Sequence, residues 1–556
     1  MAEGDRLPGD EWQLDERSSD RAEHEARLPL PTTALAGNLS HERLTRGVYV
    51  VTAENLGWGV VAVYALITRA IGLGARPLDA GPATDALAAF LIAAHGRVAF
   101  ALAGSWVTIV ESWIFAASGA TDASSRIVVM LCGLLMIATA FAMRPVLGRA
   151  GALAFAALIA ISPSMTYFAR GGSTVIASLT FMMVAIAIAE SMRRRPSVAR
   201  AAWLGVAIAL WLTADSIGYV TAAAVAVSLI LVGLADAVRL DHPRLRIRVW
   251  WQRRRLLVIV CASVAIILWS FLATAFLARS FGQIYELELR PAFAPPSIAV
   301  HRAVRRLVPI LVAYEFILPI LAIVGTFAIV SRRVGDGFAA WSVVWAFVSL
   351  AILASVSANS SNAVVAIALP LSILGAYAVD WLHQSEQWNS IRYALVAAGA
   401  LTLYVQIGTN FVHPAPDTSE APWRRHALLF WSEPVTSTLT KRECERARDA
   451  VTVAGATAMI PDDAPQVQWY LRDLAPTGAP ETANIVVTMG RTSSGAIQGD
   501  PDVPHFGFEE WWTPDFRTLT ASRAIDHFFT QRAWSDVEIS DIEIAIPRPD
   551  TKAPPP

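Results

Sequence analysis

Residues 126 to 144 read RIVVMLCGLLMIATAFAMR, an uncharged run closed at each end by an arginine. Crossing about 30 Å of hydrocarbon takes roughly 20 predominantly apolar residues. The run is therefore a membrane span, and the side on which Arg144 emerges fixes the topology around it. Arg and Lys gather in cytoplasmic loops, and Arg144 belongs with Arg149 to one of five basic clusters. The others are Arg43 with Arg46, Arg193 to Arg195, Arg239 to Arg255, and Arg332 with Arg333. A first span running outward and a cytoplasmic Arg144 leave room for one crossing between Leu73 and Arg144, and the run 126 to 143 fills it.

The whole chain has the matching composition. Of 556 residues, 54% are hydrophobic and 16% charged, against roughly 25% charged in soluble proteins. Mean hydropathy is +0.46. A net charge of −1 hides an uneven distribution and by itself says nothing about partners; no nucleic-acid partner is expected. The expected class is a polytopic α-helical membrane protein of about 11 transmembrane helices. The expected spans are 48–71, 126–143, 151–168, 174–191, 201–215, 217–238, 256–278, 308–331, 339–356, 363–382 and 390–411. The apolar stretch 98–118, interrupted by Gly104, Glu111 and Ser118, is read as lying along the outer face; as a twelfth span it would reverse the side of everything after Phe411. Residues 1–46 form a polar cytoplasmic tail without the pattern of a cleavable signal peptide, and 47–411 form the membrane domain with an outer loop at 72–125.

From 412 to 548 Pro, Asp, Glu and Arg return, as expected of a small extracytoplasmic α/β domain, and 549–556 form a disordered tail. VTVAGATAMIP and NIVVTM read as buried strands, ASRAIDHFFTQRA as a helix, and VEISDIEIAIP as an edge or half-buried alternating strand. Trp423, Trp431, Trp469, Trp511 and Trp512 suit sugar stacking, with core packing as the plainer role. Cys132, Cys261 and Cys444 imply no disulfide framework. No phosphate loop, HExxH or paired Cys and His at metal spacing occurs. No cofactor is expected, with a divalent metal left open.

Charges beside spans are candidates for function. The outer loops hold Arg76, Asp79, Asp85, Arg97, Asp122, Arg126, Arg170 and Asp215. The segment SIAVHRAVRRLVP adds His301, Arg302, Arg305 and Arg306, which read either as a clamp for a lipid phosphate or as a headgroup anchor. Glu54, with Asn55 beside it, reads either as a relay or ligand or as a carboxylate that snorkels to water at the cytoplasmic boundary. Glu315, after Tyr314 in the eighth span, reads either as a ligand or as a buried hydrogen-bond acceptor. Asp122 and Arg126 stand four apart, as a helical ion pair would.

LITRAIGLGARPL, ASGATDASSRIVVMLCGLL, RPVLGRAGALAFAALIAISPSMTYFAR, LVAYEFILPIL, ALPLSILGAY, QWYLRDL and FFTQRAWSDVEI together resemble the flippase activity-associated membrane proteins. That family is related to the dolichyl-phosphate-mannose protein mannosyltransferases and the wider GT-C glycosyltransferases. The resemblance runs from about residue 56 to 548, with ISPSMTYFAR and QWYLRDL its more specific pieces. It implies a multi-pass protein of the cytoplasmic membrane that takes a sugar from a polyprenyl-phosphate carrier at the outer face. It implies a catalytic carboxylate in the first outer loop, Asp79 or Asp85, acting as base. Arg76, Arg170, His301, Arg302, Arg305, Arg306, Tyr314 and Glu315 are then the candidate substrate and phosphate contacts. The sequence departs from the family's polar pattern where Asp79, Ala80, Gly81 and Pro82 replace a His and an acidic pair. It departs again at Ala103 to Ser105, Gly171 to Ser173, Ala214 with Asp215, and Ala358 to Asn362. A weakened transferase, or a non-catalytic partner in lipid-linked saccharide or envelope assembly, is the alternative. A secondary transporter is a weaker third reading, since no internal repeat is visible.

Overall fold

The protein is a multi-pass, mostly helical membrane protein with a small C-terminal sheet region. Its structure, a computed structural model, describes residues 52–96, 104–239, 243–293, 307–331, 337–356, 362–384, 389–412, 435–451, 456–477, 483–490, 505–512 and 517–545, single positions within these apart. The chain divides into two compact units, Met1–Leu56 and Gly57–Pro556. In the first, the Leu56 N–H donates to the Thr52 carbonyl as the helix Ala53–Ala70 begins.

Eight helices among the described residues are long and apolar enough to cross a membrane: 124–142, 144–161, 175–194, 217–238, 254–273, 337–355, 362–384 and 393–412. The helices Ala53–Ala70, Val198–Ala214 and Ile317–Ser331 occupy the other three expected spans. The helix Trp106–Ser118 has 13 residues. At 1.5 Å rise each it extends about 20 Å, too short for the hydrocarbon layer.

Two boundaries differ from the sequence reading. The expected span 151–168 is two helices, Arg144–Ile161 and Pro163–Gly171. Pro163 cannot continue the preceding helix, and the Ser162 hydroxyl caps the next by accepting from the Met165 N–H at 3.1 Å. Likewise the helix ahead of Ile317 is interrupted at Glu315 and Phe316.

Among the described residues the tail forms a six-stranded mixed sheet in the order β1-β5-β6-β4-β2-β3. Its strands are β1 Val435–Thr436, β2 Thr457–Met459, β3 Ala475–Pro476, β4 Ile485–Gly490, β5 His505–Trp512 and β6 Val537–Ala545. The pairs β2–β3 and β2–β4 are parallel; β1–β5, β5–β6 and β4–β6 are antiparallel. VEISDIEIAIP does alternate, but β6 lies inside the sheet between β5 and β4 rather than at an edge. Its alternation arises because one face is buried through Ile542 and Ile544, as in any one-sided antiparallel sheet. The helices Thr438–Ala450, Pro465–Tyr470 and Ala521–Thr530 complete the region.

The sheet and the segment 72–125 share one core. Leu78, Ala83, Ala86, Ala89 and Phe115 pack with Leu439, Val467, Trp469, Ile485, Phe508 and Ile542. Its polar centre is Asp122, which accepts from Trp469 Nε1 at 2.8 Å, Lys441 Nζ at 2.8 Å and the Tyr470 hydroxyl at 3.3 Å. The expected Asp122–Arg126 pair is therefore not formed. Arg126 points away and donates to the Leu73 and Pro77 carbonyls, because the short helix Ser124–Arg126 turns it beneath the first loop. Arg472 donates to the Ala120 carbonyl and lies 4.0 Å over the Trp469 ring.

Candidate functional site

A cavity of about 570 Å³ opens where the first loop, three interhelical turns and β1 meet. Its walls include Asp79, Pro82 and Asp85, Gly104 and Ser105, Tyr167, Gly171 and Thr174, Asp215, Asn362 and Val435. The lining contains three carboxylates and no Lys, Arg or His among the described residues.

Local sequence explains how each wall is held. Asp79 stands at the start of the helix Ala80–His95 with extended backbone, and its side chain does not cap that helix. Instead it pairs with Arg76, and its Oδ1 accepts from the Thr436 N–H at 3.1 Å. Arg76 also donates to the Tyr167 hydroxyl and stacks 3.9 Å above that ring. Ser105 caps the helix Trp106–Ser118 by accepting from the Val107 N–H at 3.0 Å. Gly172 closes the helix before Thr174 at φ +86, where an added Cβ would lie 3.1 Å from the Arg126 side chain. The glycines at 171 and 172 thus make a turn against a buried arginine.

Asp85 sits one turn into its helix, on the cavity wall, and forms no ion pair among the described residues. Burial, then the facing Asp215 carboxylate, push its carboxyl up to about 7. Asp215 is raised by burial too, offset by hydrogen bonds from the Thr174 hydroxyl at 2.6 Å and the Ile217 N–H at 2.9 Å. Behind Asp85, burial and the Asp85 charge hold Glu111 well above the usual carboxylate range. On the tail side, burial lifts Glu509 to about 7, and Gln466 donates to it at 2.6 Å. A carboxylate poised near 7 and open to a cavity has the properties of a general base at neutral pH.

The other sequence candidates fall in different places. Arg170 is committed to structure: it donates to the Thr68 and Ile71 carbonyls at 2.9 and 2.7 Å and lies 4.2 Å over the Phe411 ring. With Arg76, Tyr167 and Asn410 it rings a separate space of about 10 Å³, room for about one water. Glu315 is buried away from the larger cavity. It accepts from the Ser162 hydroxyl at 2.5 Å, the Ser164 N–H at 3.0 Å and the Ser164 hydroxyl, which is the hydrogen-bonding role. Tyr314 is buried beside it. His301, Arg302, Arg305 and Arg306 lie outside the described residues, as do Trp423 and Trp431. Trp469 and Trp512 are buried in the core. No group of three or more His, Cys, Asp or Glu among the described residues is arranged to hold a metal ion.

Sequence spacing does not bring Asp215 or Glu111 to Asp85. The available signal for both was a lone acid beside an apolar run.

The fold is similar to that of solved structures. ArnT from Cupriavidus metallidurans bound to undecaprenyl phosphate superposes with a TM-score of 0.54 at 15% identity, covering 87% of this chain and 98% of that one. The fold is GT-C-like. The apo state of the same protein gives a TM-score of 0.51 at 15% identity over the same shares. No family model matches the sequence, and no curated protein matches it.

Proposed function

We propose that this chain is a membrane glycosyltransferase that takes a sugar from a polyprenyl-phosphate carrier, with Asp85 as its general base. The observation that carries this reading is Asp85 itself: a carboxyl raised to about 7, without a cation partner among the described residues, on the wall of a 570 Å³ cavity. In the transfer, an acceptor hydroxyl oxygen attacks the anomeric carbon. The bond from that carbon to the phosphate oxygen breaks, and its electron pair leaves on the polyprenyl phosphate. Asp85 takes the hydroxyl proton. Arg76 holds Asp79 and Tyr167 at the cavity margin, and the basic segment 301–306 is assigned to the departing phosphate. The ArnT structure with undecaprenyl phosphate supports a carrier of this class.

The reading places the cavity and sheet outside the cytoplasmic membrane and the N-terminus inside. The hydrogen bond from the Thr436 N–H to Asp79 puts the first loop and the tail on one side, which requires an even number of crossings between them. Among the described residues, the ten long helices from Ile127–Ala142 to Asn389–Ile407 satisfy this, and Trp106–Ser118 as an eleventh would break it. This supports eleven spans in all.

A second reading, a non-catalytic component on the same scaffold and akin to the flippase activity-associated proteins, is favoured by Asp79, whose two oxygens are both engaged. A transfer assay with labelled polyprenyl-phosphate hexose separates the two. Product from wild type and none from Asp85→Asn supports the enzyme. Retention of the lipid without transfer by either protein supports the second reading.

A further inference from the structure

The helix Ala521–Thr530, ASRAIDHFFT, has its apolar residues on one side: Ala524, Ile525, Phe528 and Phe529 fall within an arc of about 140° at 100° per residue. Arg523, Asp526 and Thr530 occupy the opposite side. Only part of the apolar face is used by the protein. Phe528 packs edge-on against Phe316, with ring centroids 5.9 Å apart, and His527 rests against Trp512 and Trp534. Ile525 and Phe529 remain 60% and 56% exposed.

What lies beside these two residues decides their partner. The Tyr404 hydroxyl, on the last apolar helix, donates to the Phe529 carbonyl, and the two rings approach at 6.5 Å. Further along that helix Tyr393 and Val396 are themselves exposed, as lipid-facing residues of a span are. The open face of Ala521–Thr530 is therefore continuous with the lipid-facing surface of the membrane domain.

We infer that Ala521–Thr530 is an interfacial helix that inserts Ile525 and Phe529 among the acyl chains next to the last span, with Arg523 and Asp526 in water. It anchors the sheet at a fixed height on the bilayer. Its open apolar area is small, so it acts as a brace on an already inserted protein rather than as a membrane-targeting signal.

The test uses the full chain in nanodiscs of phosphatidylcholine and phosphatidylglycerol, with a nitroxide label at Ile525→Cys, Phe529→Cys, Arg523→Cys or Asp526→Cys. All four sites are exposed, so the labels leave the fold intact. Labels at 525 and 529 are expected to relax more with oxygen than with a water-soluble nickel chelate, and those at 523 and 526 the reverse. The same nickel accessibility at all four positions overturns the inference. Shielding of 525 and 529 from both reagents also overturns it, because a protein surface then covers the face.

Discussion

The Asp79 carboxylate accepts a hydrogen bond from the Thr436 backbone N–H at 3.1 Å, joining residues 357 positions apart. One oxygen thus fastens the sheet to the first loop while the other holds Arg76. This divides the labour between the two loop aspartates: Asp79 is a clamp between elements, and Asp85 carries the unpaired charge. Asp85→Asn is expected to lower transfer about 10²- to 10⁴-fold, the usual worth of a general base, with normal expression and no loss of melting temperature. Asp79→Asn is expected to lower the melting temperature and loosen the sheet, read by limited proteolysis. Equal transfer by Asp85→Asn and wild type removes Asp85 from the chemistry.

The pH dependence follows from the raised carboxyl. Below about 7 Asp85 is protonated and cannot accept the acceptor's proton, so kcat/KM should rise with pH through an ionisation near 7 and level off above it. The Asp215 charge contributes to that position, so Asp215→Asn should move the limb to lower pH. An unmoved limb in this variant separates the two carboxylates.

Stability should run the other way. A carboxyl whose folded pKa lies above its unfolded value favours the fold while protonated, and that contribution is lost as pH rises through the folded value. Asp85→Asn should therefore melt higher than wild type at pH 8 and alongside it at pH 5. A differential melt at the two pH values measures this.

Asp122 is the polar pin of the shared core. Asp122→Ala removes the acceptor for Trp469, Tyr470 and Lys441 and leaves the buried Trp469 and Tyr470 donors unmatched, at about 1–3 kcal/mol each before relaxation. Hydrogen exchange in the helices Thr438–Ala450 and Pro465–Tyr470 should rise, while the membrane spans stay protected.

The spans and the strands β2, β4 and β6 were legible because apolar length and two-residue alternation report burial directly, whereas β5, HFGFEEWW, was not read as a strand. Asp79 and Asp85 were legible as acids in a loop leaving the membrane. Their division of labour was not, since it depends on Thr436 and Asp215, each brought in by tertiary packing. The helix Thr438–Ala450, with TKRECERARDA over most of its length, was hidden by its charge: its buried side is only Leu439, Thr440, Cys444 and Ala447. The two most specific stretches, ISPSMTYFAR and QWYLRDL, prove to hold walls together. Ser162, Ser164, Tyr167 and Arg170 bind Glu315, Arg76 and the end of the first helix, and Trp469, Tyr470 and Arg472 grip the 120–122 turn.

Glu315 supplies the last prediction. Its Oε1 gathers the Ser162 and Ser164 hydroxyls and the Ser164 N–H at the break between Ile161 and Pro163, just where both helices are interrupted. Each interruption leaves backbone groups that lipid cannot satisfy, so this junction is a point where loss of one acceptor is felt on two helices. Glu315→Gln retains an acceptor and should keep the fold with a modest fall in melting temperature. Glu315→Ala strands three buried donors, at a cost of about 3 kcal/mol or more, and should be recovered poorly from detergent. The pair of variants distinguishes hydrogen bonding from catalysis: a Gln variant that folds but has lost transfer altogether would return Glu315 to the chemistry, whereas one that transfers normally fixes it as the joint between the two helices.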